Sequence, residues 1–196
     1  MKWHLICISA ILAVCLVLPD RVHAQRALKG MKGLELRGGM VDGFHRSGNR
    51  DQSGYYLGMA VSSYAKNAHK WVLGAEYLNR YYPYKEERIP VSQFTGEAGI
   101  YAKFLADQSK TVLFYLGFSA LAGYETVNWG ERLLSDGSTL INRDKFLYGG
   151  AVSLEMDIYV TNWLILVLSV RERILWGTTT GHFHTQFGAG IRFMIN

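Results

Sequence analysis

Two histidines near the end of the chain, His182 and His184, stand two residues apart. On an extended strand that spacing puts both rings on one face, which is how a two-ligand metal site can begin. Glu172 lies across the preceding loop as a conceivable third ligand. The plainer reading is a polar pair at a rim, because ligand count makes a site and the sequence supplies no firm third member. Ser169 is a conceivable nucleophile for His184 in a lipid hydrolase, yet no orienting group or oxyanion donor accompanies it. Arg171-Glu172-Arg173 has the composition of an anion-binding cluster, but inward-facing arginines pair more readily with Glu125 or Glu155. Gly38-Gly39 and Gly149-Gly150 lack the Lys-Ser/Thr continuation of a phosphate loop. Asp136-Gly137 is a turn signal without the acidic spacing of a calcium loop. The chain is therefore expected to be no enzyme, with no catalytic or metal residues, cofactor or small-molecule substrate.

The elements that would carry these residues share one pattern. From Phe183 onward every second residue is mostly apolar or aromatic (Phe183, Thr185, Phe187, Ala189, Ile191, Phe193, Ile195), while the other set is largely polar or tiny (His184, Gln186, Gly188, Gly190, Arg192). A period of two is a strand with unlike faces. The alternation recurs around Leu34–Met40, Tyr56–Val61, Trp71–Leu78, Phe94–Phe104, Val112–Glu125, Val152–Ile158 and Leu164–Arg171, which makes eight strands with the last. The second and seventh are the least regular. Longer connections (Phe44–Ser53, Pro83–Arg88, Asn128–Arg143, Trp176–Gly181) alternate with short ones, as in outer-membrane barrels, whose short turns face the periplasm.

The polar face holds Glu35, Arg37, Glu76, Arg80, Glu97, Glu125, Glu155, Arg171 and Arg192, interleaved with glycines. A soluble sandwich would put its apolar face inward and its charges in water. Long charged side chains beside glycines fit better inside an eight-stranded barrel, whose lumen has room only for side chains. Buried charges must then pair. The fold class expected is an all-β, antiparallel, up-and-down, eight-stranded outer-membrane barrel with a filled lumen and its apolar set in lipid. Trp71, Tyr77, Tyr124, Tyr148, Trp163 and Trp176 fall near strand ends, where an interfacial girdle sits. A network of this kind predicts poor conductance.

The start of the chain has a separate logic. Lys2 precedes an almost wholly apolar run, Leu5 to Leu18, and Val22-His23-Ala24 fits a signal-peptidase site. Residues 1–24 are expected to be a cleaved secretory signal and residues 25–196 a single barrel domain in the outer membrane. The run is shorter than the roughly 20 residues of a membrane helix, and Val14 is bulky for lipidation at Cys15. Both cysteines, Cys7 and Cys15, lie in the signal, so thiol chemistry is excluded from the mature chain. The formal charge of +5 becomes +4 when Lys2, Asp20 and Arg21 leave. With no basic block, direct nucleic-acid binding is not expected.

The stretches AQRALKGMKGLELRGGMVDGF, KWVLGAEYLNRYYPYKEERIPVSQFTGEAG, ALAGYETVNWGERLLSDGSTL, KFLYGGAVSLEM and RERILWGTTTGHFHTQFG resemble the TraO family of conjugative-transposon proteins from Bacteroides and relatives. The likeness runs over nearly the whole mature chain. It implies a role in conjugative DNA transfer, with other transfer proteins as partners, and supplies no catalytic residues. The expected role is a non-enzymatic outer-membrane component that anchors or stabilises the machinery. Alternatives are a surface protein for adhesion, mating-pair stabilisation or exclusion, and a lipid-modifying barrel enzyme at His184. Tyr84, Lys85, Glu86, Glu87 and Arg88 in one loop, and Trp129, Leu133 and Leu134 in another, are expected as outward partner contacts.

Overall fold

Alternating sequence can bury one face of each strand only if the sheet folds round on itself. The computed structural model, which describes residues 28–43, 54–85, 87–131, 134, 137–140, 144–179 and 181–195, has that form. Eight antiparallel strands close in sequence order: β1 (Lys32–Val41), β2 (Gly54–Tyr64), β3 (Lys70–Tyr84), β4 (Glu87–Ala106), β5 (Val112–Val127), β6 (Lys145–Tyr159), β7 (Leu164–Trp176) and β8 (Phe183–Ile195). Strand β1 pairs with both β2 and β8, so no ladder edge is left open. The proposed signal, residues 1–24, lies outside the described residues.

Register fixes the barrel's shape. Paired residues lead from Val41 through Gln186, Arg171, Ser153, Gly117, Tyr101, Lys70 and Tyr64. The Tyr64 amide donates to Met31 at 2.9 Å, so the path returns to β1 ten residues below its start. That offset over eight strands tilts them by about 40° from the axis. Every strand is 10 to 20 residues long, enough for the roughly 9–11 that a tilted membrane strand needs.

The faces are inverted relative to a soluble protein. Leu73, on the outside, is 68% exposed, while the guanidiniums' owners Arg173 and Arg192 are 0% exposed inside. Aromatics form two belts. Near the short turns Trp163 stacks on Phe193 at 6.0 Å. Near the long loops Tyr148 stacks on Trp176 at 6.2 Å and Tyr77 lies 5.0 Å from Phe94. Glycines make room for large inward side chains. A Cβ on Gly117 would run into the Tyr101 ring, and one on Gly188 into the Tyr56 hydroxyl.

The β3–β4 connection differs from the loop expected at Pro83–Arg88. Tyr84 pairs with Glu87 and Pro83 with Arg88, so the hairpin runs on as strand. Lys85, at φ 52°, makes the turn. Pro83 and Pro90 tolerate this because the extension is one hairpin, free of ladder partners beyond its own two strands.

Candidate functional site: the filled lumen and its two ends

Tilt and shear bring distant strands face to face across the axis, and the charged residues settle there in tiers. All nine lumen candidates (Glu35, Arg37, Glu76, Arg80, Glu97, Glu125, Glu155, Arg171 and Arg192) are buried. In the lower tier Arg192 of β8 reaches Glu35 at 2.5 Å, Glu155 at 2.7 Å and Asp157 at 2.5 Å. Lys70 of β3 bonds the same Glu155 and lies 3.1 Å from Asp157. Its ammonium also sits 4.1 Å over the Tyr115 ring, a cation–π contact that replaces lost water. Arg192 Nη1 completes its set by donating to the Tyr64 hydroxyl at 3.1 Å.

The middle tier is built on Glu76 and Glu97. Arg37 bonds Glu97, Arg171 donates to Glu97 at 2.9 Å, and Arg173 donates to Glu76 at 3.1 Å. Gln186, Ser119 and Thr95 fill the remaining positions around these groups. The arginines of β7 therefore meet Glu76 and Glu97, not the expected Glu125 or Glu155. The barrel's stagger sets who faces whom, and spacing along one strand does not reveal it.

Glu125 stands apart near the mouth. Its carboxylate accepts from Gln93 at 2.8 Å, from the Thr178 hydroxyl at 2.7 Å, and from the Thr179 amide at 2.8 Å. It thus holds the β7–β8 loop down. At the same end of the barrel, Arg80 lies 2.6 Å and His184 Nδ1 2.7 Å from Asp42, while His184 Nε2 faces the Gly181 carbonyl at 3.1 Å. Burial opposes ionisation of Asp42, but the His184 hydrogen bond and charge, the Arg80 guanidinium and the Thr185 amide together hold its carboxyl below its ordinary value.

Sequence reasoning passed over Lys70, Asp157 and Asp42 as network members. Asp157 carried a signal, since it shares the inward parity of Glu155. Lys70 opens its strand beside a turn, where a solvated cation is the ordinary case.

The histidines do not make a metal pair. His184 is buried inside, whereas His182 precedes the strand, is exposed, and places Nδ1 2.8 Å from the Leu175 carbonyl. Glu172 is on the outer face, accepting from Thr185 at 2.6 Å. Ser169 lies near the Tyr56 hydroxyl, and the bonds of His184 go to Asp42, Arg80 and Gly181. Among the described residues no group of three or more His, Cys, Asp or Glu could hold a metal.

Apolar side chains close the lumen at one end and cover the tall β3–β4 hairpin at the other. Tyr64, Leu113, Tyr159 and Ile165 pack together at the short-turn end. At the other end Leu134 tucks beneath its loop against Ile89, Val91 and Val127. Leu134 is thus no outward contact, because an apolar side chain over an open strand end gains by covering it. Trp129 is 61% exposed and stands edge-on to Phe94. Lys85 and Arg88 are exposed, and Tyr84 is half-buried. Glu86, the Glu87 side chain and Leu133 lie outside the described residues.

The family model described as conjugative transposon protein TraO matches residues 28–195. The chain belongs to the TraO family. Among solved structures the fold resembles Neisserial surface protein A, at TM-score 0.60 and 16% identity, covering 84% of this chain and 97% of that one. It is also similar to the outer membrane protein OprG from Pseudomonas aeruginosa (TM-score 0.48, 12% identity, 86% and 99% covered). A third is Ail, the attachment invasion locus protein of Yersinia pestis (0.47, 13%, 85% and 100%). No curated protein matches. At 16% identity the likeness to Neisserial surface protein A speaks for the fold alone. TraO membership and an outer-membrane-type barrel together describe a conjugation-related outer-membrane protein.

Proposed function

We propose that this TraO protein is a non-enzymatic, non-conducting anchor in the outer membrane that stabilises or positions other proteins of the conjugative transfer apparatus. The observation that carries the reading is the filled lumen. Two tiers of ion pairs above an apolar floor at the short-turn end, with Glu125 and His184 engaged near the mouth, leave no path for a DNA strand. A barrel that cannot conduct acts through its surfaces, namely lipid on its wall and partner proteins at its ends. Export would use residues 1–24 as a removable signal, with residues 25–196 forming the barrel domain.

The test is mating frequency from a donor with an in-frame deletion, complemented in trans, with excision of the element scored in the same cells. Transfer should fall while excision continues, and complementation should restore it. Unchanged transfer would sink the reading and turn attention to an accessory surface role.

A further inference from the structure

The net charge of this chain is not spread over it. Inside, six cations (Arg37, Lys70, Arg80, Arg171, Arg173, Arg192) face six buried carboxylates (Glu35, Glu76, Glu97, Glu125, Glu155, Asp157). At the long-loop end the described groups carry both signs, with Lys85, Arg88 and Lys145 beside Glu131 and Asp144. The short-turn end is different. Among the described residues it carries Lys29, Lys32, Lys66, Lys103 and Lys110 against the single side-chain carboxylate Asp107. Asp107 is itself engaged, accepting from the Gln108 amide at 2.8 Å. Among the described residues none of the five lysines pairs with a carboxylate.

This end is also held in place. The Lys103 amide donates to His69 Nδ1 at 3.0 Å, which ties the β2–β3 turn to the foot of β4. Asn67, Ala68 and Lys110 take left-handed backbone at φ 59°, 61° and 53°, which fixes the turn tips. Tyr64, Leu113 and Ile165 close the floor beneath. A partner would lie across this surface and not enter the barrel.

Anionic lipid headgroups surround a barrel, but only Lys32 is on the lipid-facing register. Lys103 is on the lumen-facing register of β4, and Lys29, Lys66 and Lys110 lie beyond the strand ends. Nucleic acid fits less well too. Among the described residues the cations are all lysine, without arginine forks, and the one aromatic of these turns, Trp163, is stacked on Phe193. We propose that the short-turn, periplasmic end is the docking surface for an acidic, Asp/Glu-rich segment of another transfer protein. This rests on the anchoring role above and names the chemistry of the partner. Opposed surface charge speeds encounter and sets orientation, and salt screens it.

The probe is a fluorescent oligoglutamate peptide titrated against the folded barrel in zwitterionic detergent. Heat-modifiable gel mobility checks that each variant is folded. The native chain should bind, and raising salt to about 0.5 M should abolish binding. Lys29→Glu/Lys66→Glu/Lys110→Glu together should weaken it about tenfold or more, while Lys145→Glu at the opposite end should not. The proposal is overturned if the native chain does not bind, if the triple variant binds as well, or if oligo-dT or phosphatidylglycerol vesicles compete better than free oligoglutamate. In donor cells the triple variant should lower transfer towards the deletion level. If the deletion lowers transfer and the triple variant does not, docking fails and anchoring stands. If the deletion itself changes nothing, the anchoring role fails and docking to the transfer machinery fails with it.

Discussion

Arg192 is the side chain whose loss should hurt the barrel most. Its guanidinium is fully buried and meets Glu35, Glu155 and Asp157 within 2.7 Å. Arg192→Met keeps much of the volume and removes the charge. Glu155 and Asp157 keep Lys70, but Glu35 loses the hydrogen bonds that Arg192 donates to it. Removing one partner of a buried pair costs about 3–5 kcal/mol, mostly the cost of the stranded ion. With a urea dependence of about 2 kcal/mol/M, a 4 kcal/mol loss moves the unfolding midpoint down by about 2 M. The assay is urea titration of the barrel in lipid vesicles, followed by tryptophan fluorescence and by the mobility of unheated samples. Adding Glu35→Gln to Arg192→Met should recover about 1–3 kcal/mol, because the stranded charge is gone. A cost below about 1 kcal/mol for the single change, the range of exposed pairs, would show that water reaches these ions and that the lumen is not filled as described.

Gly117→Val should destabilise by about 1–3 kcal/mol, since its Cβ meets a Tyr101 ring held by Arg171 at 2.9 Å. Gly96→Val, whose nearest neighbour is the Ala122 carbonyl at 3.7 Å, should be close to neutral in the same titration. Glu125→Ala should free the Thr178–Thr179 loop, read as faster proteolytic cleavage there with the rest of the barrel intact. The Asp42 carboxyl lies below its ordinary value of 3.8 when folded. Its stabilisation is present above that pH and is lost as pH falls through the folded value. The stability difference between native protein and Asp42→Asn should therefore shrink towards zero on acidification, and a difference that grows would contradict the assignment.

Parity along each strand was enough to place the wall and its contents. The inward set of β4, with Thr95, Glu97, Gly99 and Tyr101, follows directly from alternation. Strands β2 and β7 read less cleanly for a physical reason. They turn Tyr56, Ala60 and Tyr64, and Ile165 and Val167, into the lumen, where these close the barrel or line its polar tiers. Apolar residues on both faces erase the contrast that marks a strand. Partner choice was not legible either. Arg192 and Asp157 are 35 residues apart, on the two strands that flank β7, and meet inside the barrel only because of its stagger. The Pro83–Arg88 segment read as a loop because a proline and four charges cluster there, yet a lone hairpin above the membrane tolerates both.

Planar-bilayer recording of the purified, folded barrel addresses the filled lumen most directly. Tiers of paired charges above an apolar floor predict membranes that stay at baseline, with only rare, small and unstable steps. Stable, large, open-pore currents from the pure protein would contradict the filled lumen, and with it the assignment of this TraO protein as an anchor and not a conduit.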